Sequence, residues 1–303
     1  GFEMVNNLDW TKDITIIDFL RDYGKFFNVS YMINKETVKR RLESGISYTE
    51  FSYMILQSLD FLHLYETKHC TLQLGGQDQW GNITSGLELI RKKHGADVEC
   101  YGLTMPLITK ADGTKFGKTE SGTVWLDPKK MSPYEMYQFL VNAEDAKVVE
   151  YLKRLTFLDK EEIERLEECV KNEPHLREAQ KVLGREVVTF LHGSDAYETA
   201  LKITNALFRG NIRELSADEQ RDALSSMEKV QVSEAMDLAS TLVSAKIASS
   251  KREAREWIKS GSIQINGEKV QDETRVIDAS SALVDDMILI KRGKRNYYVL
   301  TFA

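Results

Sequence analysis

Leu72-Gln73-Leu74-Gly75-Gly76-Gln77-Asp78-Gln79-Trp80-Gly81-Asn82 is the stretch that decides the fold. Residues 71–74 read as a short strand that runs into two glycines. A helix is expected from about residue 82 to 94, closed by Gly95 as a C-terminal stop. Residues 98–101 and 103–108 read as strands beyond it. Strand, loop, helix, strand in this order implies a parallel α/β sheet. In such a sheet the loop at the carboxyl end of a strand faces the ligand crevice. Glycines let the backbone approach a ligand closely. Asp78 is suited to accept from ribose hydroxyls, and Gln79 to bridge polar ligand groups. A plain tight turn with a helix cap is the competing reading.

Upstream, residues 49–65 read as one long helix with Thr49 as N-cap. Tyr53, Gln57 and Asp60 fall within an arc of about 60° on it. Met54, Ile55, Leu56, Leu59, Phe61 and Leu62 surround them, so the helix is expected to be largely buried. A carboxylate in that setting needs a partner. Two readings stand level: a structural hydrogen-bond network, or a pocket wall offering a phenol, an amide and a carboxylate. Residues 1–50 read as helices and loops, with 9–13 as a loop and 14–20 as an apolar run.

Downstream, Lys110-Ala111-Asp112-Gly113-Thr114-Lys115-Phe116-Gly117-Lys118-Thr119 is a flexible cationic loop. Lysine is a good point-charge partner for phosphate. The order does not match a P-loop, and taken alone the segment reads as a solvated surface loop. Residues 132–225 follow a helical pattern, opened by Ser132-Pro133 and restarted at Asp159 with Glu162 three residues on. Residues 225–232 read as a linker. Residues 233–303 form a small α+β module: helices near 234–243 and 251–260, a hairpin at Asn266-Gly267, and strands at 287–290 and 297–302 flanking the basic turn 291–295.

The chain has 303 residues, enough for two or three domains, with 42% hydrophobic and 29% charged residues. No apolar run reaches the ~20 residues of a membrane span. The three cysteines and five histidines show no metal-ligand spacing, and a reducing cytoplasm is the expected compartment. Net charge is −6, unevenly spread: residues 232–303 carry 11 Lys+Arg against 10 Asp+Glu, the remainder 30 against 37. A less acidic tail on an acidic body suggests a partner of its own. Lys251, Arg252, Arg255 and Lys259 group there as a candidate phosphate-binding face, with a plain solvated face as the alternative.

Taken together, the three motifs resemble those of bacterial tyrosyl-tRNA synthetases, a class I family, and the resemblance runs the whole chain. It implies that Tyr53 and Gln57 bind the amino group of tyrosine and Asp60 its phenolic hydroxyl. Gln73 would line the tyrosine pocket, Gln79 would contact the carboxyl side, and Gly76 and Asp78 would hold the ATP ribose. Lys115-Phe116-Gly117-Lys118-Thr119 resembles the "KMSKS" loop, departing at positions two, three and five and keeping both lysines. Lys115, Lys118 and Thr119 are therefore its expected catalytic residues, with Lys118 also on ATP.

The tail resembles an RNA-binding module at residues 250–255, Ile258, Gly261 and 265–267. The implied fold is the second half of a Rossmann-like parallel-sheet catalytic domain (1–127), an α-helical anticodon-side domain (128–231) and the RNA-binding module (232–303). The implied substrates are tyrosine, ATP with Mg²⁺, and tRNA(Tyr). The implied assembly is a homodimer. A non-catalytic synthetase-like RNA-binding (splicing) protein and a generic nucleotide-binding α/β protein are the alternatives. The family's His-x-Gly-His motif does not occur, and Gly1-Phe2-Glu3 is not a natural initiation sequence. That motif is expected upstream of Gly1, and the chain by itself is expected not to form tyrosyl-adenylate.

Overall fold

The computed structural model of the protein describes residues 2–119, 122–225, 227–232, 235–293 and 296–302. They fall into two compact units, residues 1–109 and 110–303.

The first unit opens with short helices: α1 (Leu8–Thr11), α2 (Ile16–Asp18), α3 (Val29–Ile33) and α4 (Glu36–Leu42). The segment expected as a loop at 9–13 is thus partly helical. The long helix α5 runs Tyr48–Lys68. Its N-cap is Ser47, not Thr49. The Ser47 hydroxyl accepts from the Glu50 N–H at 3.2 Å, and the Glu50 carboxylate takes the Ser47 N–H at 3.0 Å. This reciprocal box satisfies donors that Thr49, lying inside the helix, cannot reach. The Ser47 N–H, and then the Ser47 hydroxyl, which also donates to the carboxylate at 3.1 Å, hold the Glu50 carboxyl below its usual range.

Next come β1 (Leu72–Gly76), a 3₁₀ turn (Gln77–Gln79), α6 (Trp80–His94) and β2 (Tyr101–Met105). β1 and β2 pair in parallel, Leu72 opposite Tyr101 through Gly76 opposite Met105. The expected βαβ unit is present, but 98–101 and 103–108 are not two strands. One strand, Tyr101–Met105, replaces them because the register is set by β1.

α6 lies close on the sheet. A Cβ added to Gly102 would stand 2.5 Å from Ile83 Cγ2, and one added to Gly86 would stand 3.0 Å from Phe61 on α5. Phe61, Leu62, Leu89, Ile90 and Cys100 fill the space between α5, α6 and β2. Met32, Val38, Met54 and Ile55 make a second cluster under α3 and α4. The other face of the sheet is apolar and open: Leu72, Leu74, Tyr101, Leu103 and Met105 are each about half exposed.

The second unit begins with the small hairpin β3 (Lys118–Thr119) and β4 (Gly122–Thr123). Helices α7 (Pro133–Val141), α8 (Asp145–Leu155), α9 (Lys160–Asn172), α10 (Glu178–His192), α11 (Ser194–Arg209) and α12 (Ala217–Ser225) follow. Ser132 and Asp159 cap α7 and α9 as their sequences require.

Residues 228–232 are not a linker. They form β5 (Glu228–Val232), which pairs in parallel with the last strand. Then come β6 (Met236–Asp237), α13 (Leu238–Ser244), α14 (Lys251–Lys259), β7 (Ile263–Ile265), β8 (Glu268–Lys269), β9 (Val276–Ile277), β10 (Met287–Arg292) and β11 (Asn296–Phe302). The first tail helix starts at Leu238, later than residue 234, because Met236 and Asp237 are paired with β9. Residue 234, and 294–295 of the basic turn, lie outside the described residues.

The sheet order is β5-β11-β10-β7-β8. Asn266 and Gly267 turn β7 into β8 with φ of 50° and 89°, the left-handed pair a two-residue hairpin demands. Among the described residues, no helix is long and apolar enough to cross a membrane.

The contact at Gly102 yields a test. Gly102→Ala should destabilise the first unit by about 1–3 kcal/mol, because the fully buried, branched Ile83 cannot swing away. In urea denaturation Gly102→Ala should cost less in an Ile83→Ala background, which removes the Cγ2 methyl, than in the parent chain.

Candidate functional site

Tyr53, Gln57 and Asp60 lie on the more open side of α5, while Met54, Ile55, Ser58, Leu59, Phe61 and Leu62 are buried. Leu56, expected inside, is 40% exposed. Asp60 has its partners. Trp10 Nε1 donates to Oδ1 at 2.9 Å, and Asn7 Nδ2 to Oδ2 at 3.2 Å. The Trp10 ring stacks on His63, with centroids 4.4 Å apart and planes 12° from parallel. Both carboxylate oxygens are thus held by α1 and the residue before it, on a helix one turn long. No sequence signal marked Asn7 or Trp10, since their contact with Asp60 spans about 50 residues.

Gln57 is tied to the loop after β1. Asn82 Nδ2 donates to Gln57 Oε1 at 2.9 Å and, more weakly, to Gln79 Oε1 at 3.4 Å. Asn82 lies in the motif with no role expected from the sequence; its position three residues after Gln79 on the same helical turn is the signal that points to it. Tyr53, Asp78 and Asn82 share the wall of a cavity of about 290 Å³, with Arg41, Ile46 and Met54 on its other sides.

Gly76 has extended backbone, φ −70°. What requires glycine there is space: a Cβ would stand 2.8 Å from Asp78 Oδ1 and 2.9 Å from Leu107 Cδ2. Gln73 Oε1 is buried without a hydrogen-bond partner, an acceptor left for a donor from elsewhere. Tyr53, Gln57, Asp60, Gln73, Gly76, Asp78 and Gln79 therefore all belong to the first unit.

The lysine loop belongs to the second unit and is less free than its composition suggests. Asp112 Oδ1 accepts from the Thr114 hydroxyl at 2.6 Å and from its N–H at 2.8 Å, and these bonds hold the Asp112 carboxyl below its usual range. Gly113 and Gly117 turn with φ of 82° and 86°. Phe116 packs on Phe139 of α7 and Tyr151 of α8, at 5.2 and 4.5 Å between centroids. Burial raises the Tyr151 phenol above its usual value. Lys115 is exposed. The backbones of Lys118 and Thr119 form β3; their side chains lie outside the described residues.

In the tail module, Lys251, Arg252, Arg255 and Lys259 are all exposed on α14, whose Ala254 and Ile258 are buried. Their spacing of three and four residues puts them on one face. Among the described residues, no group of three or more His, Cys, Asp or Glu is arranged to hold a metal ion.

Two family profiles match the chain. Residues 2–209 match "tRNA synthetases class I (W and Y)", and residues 219–300 match "Tyrosine–tRNA ligase SYY-like C-terminal domain". Fold and site thus define a class I aminoacyl-tRNA synthetase. A tyrosine–tRNA ligase of Listeria welshimeri is 53% identical over 300 residues, 99% of this chain and 72% of the relative; one of Staphylococcus carnosus is 52% identical over 301 residues. A C-terminally truncated mitochondrial tyrosyl-tRNA synthetase from Coccidioides posadasii superposes with a TM-score of 0.54 at 34% identity, over 65% of this chain and 56% of that one. The counterpart from Aspergillus nidulans gives 0.55 at 32%, over 67% and 57%. The chain belongs to the tyrosyl-tRNA synthetases.

The Trp10–Asp60 bond can be measured. Trp10→Phe keeps an aromatic ring near His63 but removes the indole N–H from a carboxylate. A loss of about 1–2 kcal/mol is expected. A double-mutant cycle with Asp60→Ala, read by urea denaturation, should return most of it as coupling.

Proposed function

We propose that this chain carries the tyrosine, ribose and pyrophosphate contacts of a tyrosine–tRNA ligase. In the first step the tyrosine carboxylate attacks the α-phosphate of ATP and pyrophosphate leaves. In the second, tyrosine passes to the terminal ribose of tRNA(Tyr). Mg²⁺ enters with ATP, on its phosphate oxygens, as part of the substrate. The observation that carries the reading is the fixed carboxylate of Asp60: two donors aim it, and it shares a helix face with Tyr53 and Gln57.

Asp60 accepts from the substrate phenol. Tyr53 and Gln57 take its ammonium group, Gln57 being oriented by Asn82. Gln73 offers its unpaired Oε1 to the same ligand. Gln79 lies to the carboxyl side. Asp78 accepts from the ribose of ATP, which the bare backbone of Gly76 allows to come close. Lys115 and Lys118, with Thr119 beside them, offset the charge of departing pyrophosphate from a loop anchored through Phe116. Little covalent help is needed in such a transfer; positioning and charge neutralisation supply the rate.

The three functional parts are residues 1–127, residues 128–227 and a tail module that begins with β5 rather than at residue 232, since β5 pairs with β11; the module binds tRNA through Lys251, Arg252, Arg255 and Lys259. A homodimer in the cytoplasm fits the exposed Ile16, Ile17, Leu20, Val29 and Tyr48 and the three free cysteines.

Asp60→Asn in the full-length protein should lower the tyrosine-over-phenylalanine ratio of kcat/KM towards unity. A site built for a hydroxyl leaves buried groups unpaired when the hydroxyl is missing, and tyrosyl-tRNA synthetases are themselves the known instance of this effect. An unchanged ratio removes Asp60 from the phenol site.

In the full-length protein, Lys115→Ala should slow tyrosine-dependent ATP–pyrophosphate exchange about 10-fold or more while leaving the tyrosine Kd within about twofold, since the charge it meets develops on the way to products. A raised Kd with a normal rate would contradict the assignment.

A further inference from the structure

The face of α14 that carries the candidate RNA contacts is not a bare row of cations. Glu273 stands against it. Its Oε2 lies 3.5 Å from Arg255 Nε and 3.9 Å from Lys259 Nζ, and that oxygen is buried and makes no hydrogen bond. The turn bearing Glu273 is built to hold it there. Asp272 Oδ1 accepts from both the N–H and the hydroxyl of Thr274, at 2.9 and 2.7 Å, which locks the backbone on either side of Glu273. Asp237, also near this face, is engaged elsewhere: it caps α13 through the Ser240 N–H at 3.0 Å and the Ser240 hydroxyl at 2.6 Å. Among the described residues, Glu273 directs an otherwise unbonded oxygen at two of the four cations.

We propose that Glu273 is an internal counter-ion that occupies the place of an RNA phosphate oxygen between Arg255 and Lys259, and that an arriving phosphate must displace it. This rests on the reading of α14 as an RNA-binding face. Both contacts are longer than a hydrogen bond, so neither cation is directionally held. The Arg255 and Lys259 side chains remain 54% and 69% exposed, in reach of a second anion. A phosphate offers more oxygens and more charge than a carboxylate and can bond directionally to a guanidinium. The exchange therefore runs forward, but against a standing competitor. Phosphate contacts carry no sequence information. Glu273 thus weakens the hold on every RNA alike and speeds its release, leaving identity to other residues.

Glu273→Gln keeps the shape and removes the charge. In the full chain, its affinity for a tRNA(Tyr) transcript and for an unrelated tRNA should rise by the same factor, about threefold near 50 mM salt, with a salt slope steeper by about 0.7–0.9, the value of one more phosphate contact. Dissociation should slow accordingly. Glu268→Gln, which removes an exposed carboxylate from β8, controls for net charge and should change affinity less. Unchanged or weakened binding in Glu273→Gln overturns the proposal, and so does an equal effect of Glu268→Gln. Arg255→Ala and Lys259→Ala separate the two layers of the argument. If they leave RNA affinity intact, the RNA reading of α14 fails and the counter-ion with it. If they weaken it while Glu273→Gln does nothing, only the counter-ion fails.

Discussion

The first unit depends on how closely α6 can lie on its neighbours. Gly102 removes the side chain that would meet Ile83, and Gly86 the one that would meet Phe61. α6 is therefore pressed against β2 on one side and α5 on the other. α5 carries Tyr53, Gln57 and Asp60, and the loop entering α6 carries Asp78 and Gln79. That closeness lets Tyr53 of α5 line one cavity with Asp78 and Asn82. Interiors pack without slack, so two missing methyl groups set the spacing of a binding site tens of residues long.

Within that frame the polar groups are arranged by one another as much as by ligand chemistry. Asn82 spans from α6 to Gln57 on α5, joining the two motif-bearing elements by a side chain. Trp10 and Asn7 hold both oxygens of Asp60, a partly buried carboxylate that needs those partners in the free protein. A group so held costs no reorganisation when a hydroxyl arrives. Gln73, with its buried and unpartnered oxygen, is the opposite case, and such exceptions gather where function needs them.

In the second unit, charge is managed by proximity. The lysine loop is tethered by an aromatic cluster at Phe116 and stiffened by Asp112, so its cations ride on a defined hairpin. On α14 the cations are opposed by a carboxylate at a distance that attracts without bonding. Both arrangements keep positive charge available for phosphate while limiting how freely it moves.

Local rules were enough for the sequence to determine the βαβ unit, the Ser132 and Asp159 caps, the Asn266-Gly267 turn and the shared face of Tyr53, Gln57 and Asp60. Each rests on periodicity or on a backbone demand met within a few residues. Hydrogen-bond register misplaced the rest: the cap at Ser47, the single strand Tyr101–Met105, the strand where residues 225–232 read as a linker. Val230 pairs with Leu300, and nothing within ten residues of Val230 announces that partner. The partners of Asp60, the bridge through Asn82 and the carboxylate against Arg255 and Lys259 are likewise outside any local signal. Tertiary structure alone decided them, because hydrogen bonds and ion pairs between side chains depend on distance in space, which a sequence records only where the chain turns back on itself at once.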